Sequence, residues 1–169
     1  NRKLIEKRLL LAAESLNRGS WRVRLKLSKD GVDTIESAEI TDADSGKVFR
    51  VRIARNAIDA ANVFLYHKTT NRLVYENARR AAGGCDDVLM FNKDGALTES
   101  SIANIVVDSG GKKYTPPVKC GLLPGVFRAL LVERGEVEEK VLRVADLEKA
   151  TAVYLVNSVR KWMKVEVDL

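Results

Sequence analysis

Between Asp87 and Thr115 two tight, glycine-bearing turns divide the chain, and this spacing restricts the fold more than any other feature. The tetrads Asn92-Lys93-Asp94-Gly95 and Asp108-Ser109-Gly110-Gly111 separate short stretches at Asp87 to Phe91, Ala96 to Glu99, Ile102 to Val107 and Lys112 to Thr115. Segments this short, bounded by Gly, Asn and Asp, read as strands joined in hairpins rather than as helices. Pro116-Pro117 then stops the last of them, because proline cannot donate to a sheet ladder.

Helical periodicity flanks this hairpin region. Leu4, Ile5, Leu9, Leu10, Ala12, Ala13 and Leu16 recur at helical spacing over residues 2–16. Trp21 to Leu27 alternates apolar and basic residues, and Thr34 to Ile40 and Val48 to Ile53 continue as an antiparallel meander. Residues 54–62 carry no pattern and read as a linker. Asn71 to Ala82 reads as a helix ended by Gly83-Gly84, Gly125 to Arg134 as a helix entered through Leu123-Pro124, and Ala145 to Ala150 as a short helix. Val137 to Arg143 and Thr151 to Ser158 complete the strands. The fold class is α+β, with strands grouped in hairpins. The boundary falls within the linker, giving units at 1–58 and 59–169.

Composition removes several functions. With 46% hydrophobic and 31% charged residues the chain of 169 residues can build a core, so bulk disorder is excluded. Its longest apolar runs, Leu9 to Ala13 and Ala152 to Val156, fall far short of the roughly 20 residues that span a bilayer. The net charge of +6 is spread, with 13 basic and 9 acidic residues in 1–60 and 16 and 14 in the remainder. A nucleic-acid binder concentrates its basic groups, so neither nucleic acid nor membrane is an expected partner. Cys85, Cys120 and the single His67 cannot furnish a four-ligand zinc site. Asn1 opens the sequence and the first Met is Met90, so the expectation is a fragment or a chain whose beginning is not seen. No secretion signal precedes the fold, so the expected compartment is the cytoplasm.

Only one histidine is present to serve any triad, and the phosphate-loop, dinucleotide and nucleophile-elbow motifs are missing. Four other features remain. Lys68, in Phe64-Leu-Tyr-His-Lys68-Thr-Thr-Asn71-Arg72, stands in an apolar setting where a strand delivers it to a helix start; burial lowers an amine's pKa and suits it to Schiff-base chemistry. Glu99 and Asn104 put a carboxylate and an amide beside an apolar hairpin. Leu123-Pro124-Gly125-Val126-Phe127 opens a helix whose first N–H groups suit an anion. Asn157 and Ser158 end an apolar strand. Taken alone, the lysine reads better as a solvated side chain and the helix start as a plain N-terminus, while the other two could be a wet hairpin end and a strand end. Together they ask for one ligand with an aldehyde, a pyridine nitrogen and a phosphate, and pyridoxal phosphate has all three.

The ordered series Lys68-Thr-Thr-Asn71-Arg72, Leu97-Thr98-Glu99 with Asn104-Ile105, Tyr114-Thr-Pro-Pro117, Leu123-Pro-Gly-Val-Phe-Arg128 and Val156-Asn-Ser-Val159 resembles the class IV (fold type IV) family of pyridoxal-phosphate enzymes. That family holds branched-chain and D-amino acid aminotransferases and aminodeoxychorismate lyases. The likeness covers about residues 64–165, and residues 1–55 resemble the later part of the family's small N-terminal domain. The fold it implies is this partial small domain followed by a larger, barrel-like mixed-sheet domain.

The resemblance implies roles. Lys68 is the residue that bonds the cofactor and moves protons, and Glu99 pairs with the pyridine nitrogen. The backbone amides of Val126 and Phe127, with Asn157 and Ser158 on the other side, hold the phosphate. Phe127 stands where the transaminases often have a threonine, and Asn104 braces the hairpin. Arg72 and Arg160 are candidates for a substrate carboxylate. The pattern after Lys68 lacks the tyrosine of the branched-chain aminotransferases and is closer to the lyases. The implied activity is therefore release of pyruvate and 4-aminobenzoate from aminodeoxychorismate, in a homodimer. An aminotransferase on branched-chain or D-amino acids, and a non-catalytic binding module, are the alternatives. An arginine that the family uses for the phosphate falls before Asn1.

Overall fold

The computed structural model describes residues 2–40 and 46–169, which divide into two compact units at Gly46/Lys47. The first contains helix α1 (Arg2–Glu14) and an antiparallel hairpin, β1 (Trp21–Leu27) with β2 (Asp33–Glu39), paired from Trp21↔Glu39 to Leu27↔Asp33. Its turn is held by Val32 N–H donating to Ser28 Oγ at 3.0 Å. Arg8 of α1 reaches Asp33 at 2.6 Å.

The second unit is built on strands β3 (Phe49–Ile53), β4 (Asp87–Phe91), β5 (Leu97–Ser100), β6 (Asn104–Ser109), β7 (Lys112–Thr115), β8 (Glu138–Glu139), β9 (Ala152–Asn157) and β10 (Lys161–Asp168). Six of them close on themselves in the order β5-β4-β3-β10-β9-β6, and β6 returns to β5. Closure removes the free edges an open sheet would carry. The strand pairs β10–β3 and β3–β4 are parallel and the other ring contacts antiparallel, so the sheet is mixed. Strands β7 and β8 extend the sheet from β6.

The apolar runs have two destinations. Val51, Leu89, Leu97, Ile105, Val107, Leu155 and Met163 fill one core, while Val106 and Val156, the alternate residues, pack with Leu131 of helix α3 (Val126–Glu133). Val88 and Met90 join Tyr75 of helix α2 (Leu73–Ala82) in a third cluster. Strands covered on both faces lose the polar half of the alternating pattern. A short helix α4 (Val144–Glu148) starts where Asp146 accepts the Arg143 N–H at 2.7 Å.

The α+β class holds, and several boundaries change. The meander breaks after β2, because β3 lies between β10 and β4 and belongs to the second unit; the division therefore comes at 46/47 instead of 58/59. Residues 54–62 are no linker: Ala54 and Ile58 donate to Leu89 O and Phe91 O, both at 2.8 Å, and are buried. The span 137–143 is a strand only at Glu138–Glu139, with an isolated bridge from Arg143 to Ala96, and Val137 and Leu142 are buried. Strand β10 was not anticipated, since Lys161, Lys164, Glu166 and Asp168 interrupt its apolar content.

Gly121 locks residues 54–62 in place. Its φ is +100° and a Cβ there would stand 3.1 Å from the Ala60 Cα. Gly110 has φ +63° and open space around it. Gly121→Ala should destabilise by about 2–3 kcal/mol, against about 1 kcal/mol for Gly110→Ala, seen as an extra fall in Tm of about 3–8 °C. Equal losses in a thermal melt would show that the contact with Ala60 carries no weight.

Candidate active site

The site forms where the ring of strands closes. Strand β5 meets β6 through one pair, Glu99↔Asn104, and the hairpin between them is tight: Ser100 N–H donates to Ala103 O at 2.8 Å. Ser100 Oγ accepts from the N–H groups of Ile102 and Ala103 at 3.3 and 3.0 Å. Next to it, Ser101 donates its hydroxyl to the buried Asp87 at 2.5 Å, and its carbonyl takes a hydrogen bond from Arg72.

Glu99 is 4% exposed, so the hairpin end is not a wet one. Its Oε1 accepts from Tyr75 Oη at 2.8 Å and from Leu123 N–H at 3.1 Å, and its Oε2 from Asn104 Nδ2 at 3.2 Å. Burial dominates its titration and pushes it up from 4.5 to about 7, while the Tyr75 and Leu123 hydrogen bonds and the charges of Lys68 and Arg72 pull the other way. Burial and the neighbouring carboxylate drive the Tyr75 phenol far upward, so it stays a neutral donor.

Asn104 links this carboxylate to the start of α3. The same Nδ2 donates to Leu123 O at 2.9 Å, and a Cβ on Gly125 would come 2.3 Å from Asn104 Oδ1. Only glycine allows that approach, which packs the helix entrance against the hairpin. Gly125 caps α3 without any side-chain bond, so the first-turn amides, those of Val126 and Phe127 among them, have no capping partner. The Val126 side chain is exposed, and the Phe127 ring stands edge-on to Trp162 at 6.4 Å with the Lys161 ammonium 4.9 Å from its centroid.

Lys68 follows a single 3₁₀ turn at Val63–Tyr66, where a strand was expected, and is exposed rather than in apolar surroundings. It makes no hydrogen bond or ion pair among the described residues, yet lies close enough to Glu99 to favour its ionised form. Asn157 bonds to the hairpin through Nδ2 to Ile102 O at 3.4 Å. Its Oδ1 accepts from the N–H groups of Val159 and Arg160 at 3.0 and 2.8 Å. Its side chain thus shapes the turn, with the exposed Ser158 on it. Arg72 is engaged with Ser101 O and lies 4.6 Å over the Tyr75 ring, while Arg160 lies 5.9 Å over Phe49.

The structure therefore joins Glu99, Asn104 and the α3 entrance directly, ties Asn157 to them through Ile102, and sets Lys68 nearby. Tyr75 escaped the sequence reading. Its only trace is helical spacing, three residues after Arg72 and seven after Lys68, which puts it on the first turn of α2.

Comparison with known proteins identifies the family. Residues 1–167 match the family described as amino-transferase class IV. A candidate aminodeoxychorismate lyase from Schizosaccharomyces pombe is 31% identical over 150 residues, covering 85% of this chain and 65% of the relative. The aminodeoxychorismate lyase of Saccharomyces cerevisiae is 28% identical over 193 residues, covering 87% and 51%. The chain thus spans between about half and two thirds of these relatives. Among solved structures, a candidate amino-acid aminotransferase from Mesorhizobium loti superposes with a TM-score of 0.91 at 33% identity, covering 99% of this chain and 82% of its own.

A buried carboxyl that titrates near 7 instead of 4.5 keeps its extra proton in the native state. The stability it lends is full below pH 4.5 and is lost as pH rises through 7, a cost of about 3 kcal/mol at pH 8. Without bound ligand, Glu99→Gln should therefore gain in Tm relative to the unsubstituted protein as pH goes from 5 to 8. A difference that is flat with pH would mean Glu99 is already ionised at pH 5.

Proposed function

Since the chain belongs to the amino-transferase class IV family, we propose that it is a pyridoxal 5'-phosphate enzyme, an aminodeoxychorismate lyase that releases pyruvate and leaves 4-aminobenzoate for folate synthesis. The observation that carries this reading is the buried Glu99, gripped by three donors at the closing pair of the barrel beside the uncapped start of α3.

The residues present fit each polar end of the cofactor. Glu99 is a buried acceptor matched to a ring N–H, and a charge there keeps a pyridine nitrogen protonated. The amides of Val126 and Phe127 suit a phosphate dianion, since the helix start concentrates partial positive charge and the bare Gly125 lets it approach. Asn157 and Ser158 line the other side by way of their turn, and Phe127 brings no hydroxyl. Lys68 is the amine for the aldehyde. Bound there, pyridoxal phosphate supplies an electron-accepting ring conjugated to the reacting carbon.

In the reaction Lys68 takes the proton from the substrate's Cα and returns one after the leaving group departs, the work of a positioned amine base. Glu99 holds positive charge on the ring nitrogen, and Asn104 holds Glu99 and the α3 entrance in one geometry. Lyase rather than aminotransferase is favoured by the Lys68-to-Arg72 pattern and by the names of the two yeast relatives. The protein works as a cytoplasmic homodimer on a small-molecule substrate, whose carboxylate is bound by residues other than the engaged Arg72.

Borohydride reduction with pyridoxal phosphate, followed by peptide mapping, should modify Lys68 selectively. Pyruvate should form from aminodeoxychorismate with no amino acceptor added, and Lys68→Ala should lower the rate by about 10²–10⁴-fold. Turnover strictly dependent on 2-oxoglutarate would replace the lyase by an aminotransferase on branched-chain or D-amino acids. Labelling scattered over surface lysines would leave a non-catalytic binding module.

A further inference from the structure

We propose that Tyr75, steadied by Arg72, is the positioning residue of Glu99: its hydroxyl commits Oε1 to the protein and leaves Oε2 as the oxygen that meets a ligand. The argument starts from unequal partners. Oε1 accepts two hydrogen bonds, from Tyr75 Oη at 2.8 Å and Leu123 N–H at 3.1 Å, and Oε2 accepts one, from Asn104 at 3.2 Å. Asn104 also serves Leu123 O from the same nitrogen at 2.9 Å, so Oε2 is the more weakly held of the two. Three anchored donors fix the carboxylate plane and so the direction in which Oε2 can accept.

Tyr75 is suited to this task. It is 7% exposed and sits on the first turn of α2, three residues from Arg72. The guanidinium covers its ring at 4.6 Å while donating to Ser101 O on the β5–β6 hairpin. Arg72 thus ties the first turn of α2 to the hairpin that carries Glu99, fixing the separation of the phenol from the carboxylate. Because the phenol keeps its proton, it is a donor at every working pH, and a donor to a carboxylate favours the ionised form. The groups that set the charge of Glu99 are Tyr75 and Arg72 from α2 and its cap, Lys68 from the segment before it, Asn104 from β6 and the Leu123 amide.

The purpose assigned to Oε2 rests on the cofactor reading; the positioning of Glu99 by Tyr75 does not. The test therefore has two arms. In the first, protein carrying ¹³C-carboxyl glutamate is titrated by NMR, the Glu99 signal being the one lost in Glu99→Gln. Tyr75→Phe, which keeps the ring beneath Arg72, should raise the Glu99 midpoint by about one to two units. Placing 3,5-difluorotyrosine, a stronger donor, at position 75 should lower it. In the second arm, the Kd for pyridoxal phosphate, read by fluorescence at pH 7, should rise several-fold in Tyr75→Phe. A Glu99 midpoint unmoved by either replacement overturns the proposal. Midpoints that move while the unsubstituted protein fails to bind pyridoxal phosphate uphold the positioning of Glu99 by Tyr75 and overturn the functional reading instead.

Discussion

Taking a carboxylate out of water is costly unless donors replace the lost hydration. Glu99 meets that demand by drawing donors from three separate elements: Tyr75 of α2, Asn104 of β6 and the Leu123 amide ahead of α3. Those elements are far apart in sequence, so their convergence depends on closure of the barrel, and closure runs through the Glu99↔Asn104 pair itself. The sheet and the site are therefore parts of one arrangement. An error in the β5–β6 register would leave the carboxylate buried without partners, and such a state is strongly disfavoured.

The arrangement also explains the pattern of satisfied and unsatisfied groups. Ser100, Ser101, Asn104 and Arg72 all spend their polar atoms on the hairpin and the elements around it. Among the described residues Lys68 does not, and it is exposed, while the start of α3 has no side-chain cap. The donors to Glu99 hold a rigid acceptor inside, although two buried oxygens close by, Thr98 Oγ1 and Asp87 Oδ2, have no hydrogen-bond partner among the described residues. Preorganisation of this kind means that little reorganisation accompanies the binding of a charged ligand.

Much of this was legible in the residues. The glycine turns at Gly95 and Gly110-Gly111 marked the hairpins because their backbone has positive φ, which few other residues adopt. The ordered motifs pointed to Lys68, Glu99, Asn104 and the α3 entrance, and the structure draws these together. Other features depend on contacts between distant segments. Nothing local says that Phe49 to Ile53 pairs in parallel with β10 and β4 rather than with its preceding hairpin, because parallel partners come from remote sequence. The apolar surroundings expected for Lys68 failed for a related reason: Leu65 alone of its apolar neighbours at 63–66 is fully buried, while Val63 and Phe64 point outward. Tyr75 reads in the sequence as one more apolar residue of an amphipathic helix, and its hydroxyl gains meaning only opposite Glu99.

Charge coupling follows from the same geometry. Burial brings Glu99 to the middle of the neutral range, about 7, with Lys68 and Arg72 already favouring its ionised form. A cationic N–H placed against it acts in the same direction, and in a low-dielectric setting its effect exceeds that of the same charge in water. On the proposed cofactor reading, ligand binding and loss of the Glu99 proton would be one linked equilibrium, each favouring the other by the same factor. A carboxylate left in water would be ionised at neutral pH whether or not a ligand were present, and it would respond to neither. The depth at which the barrel closes over Glu99 is what lifts it out of the usual carboxylate range, and so what would make it respond to a charged ligand.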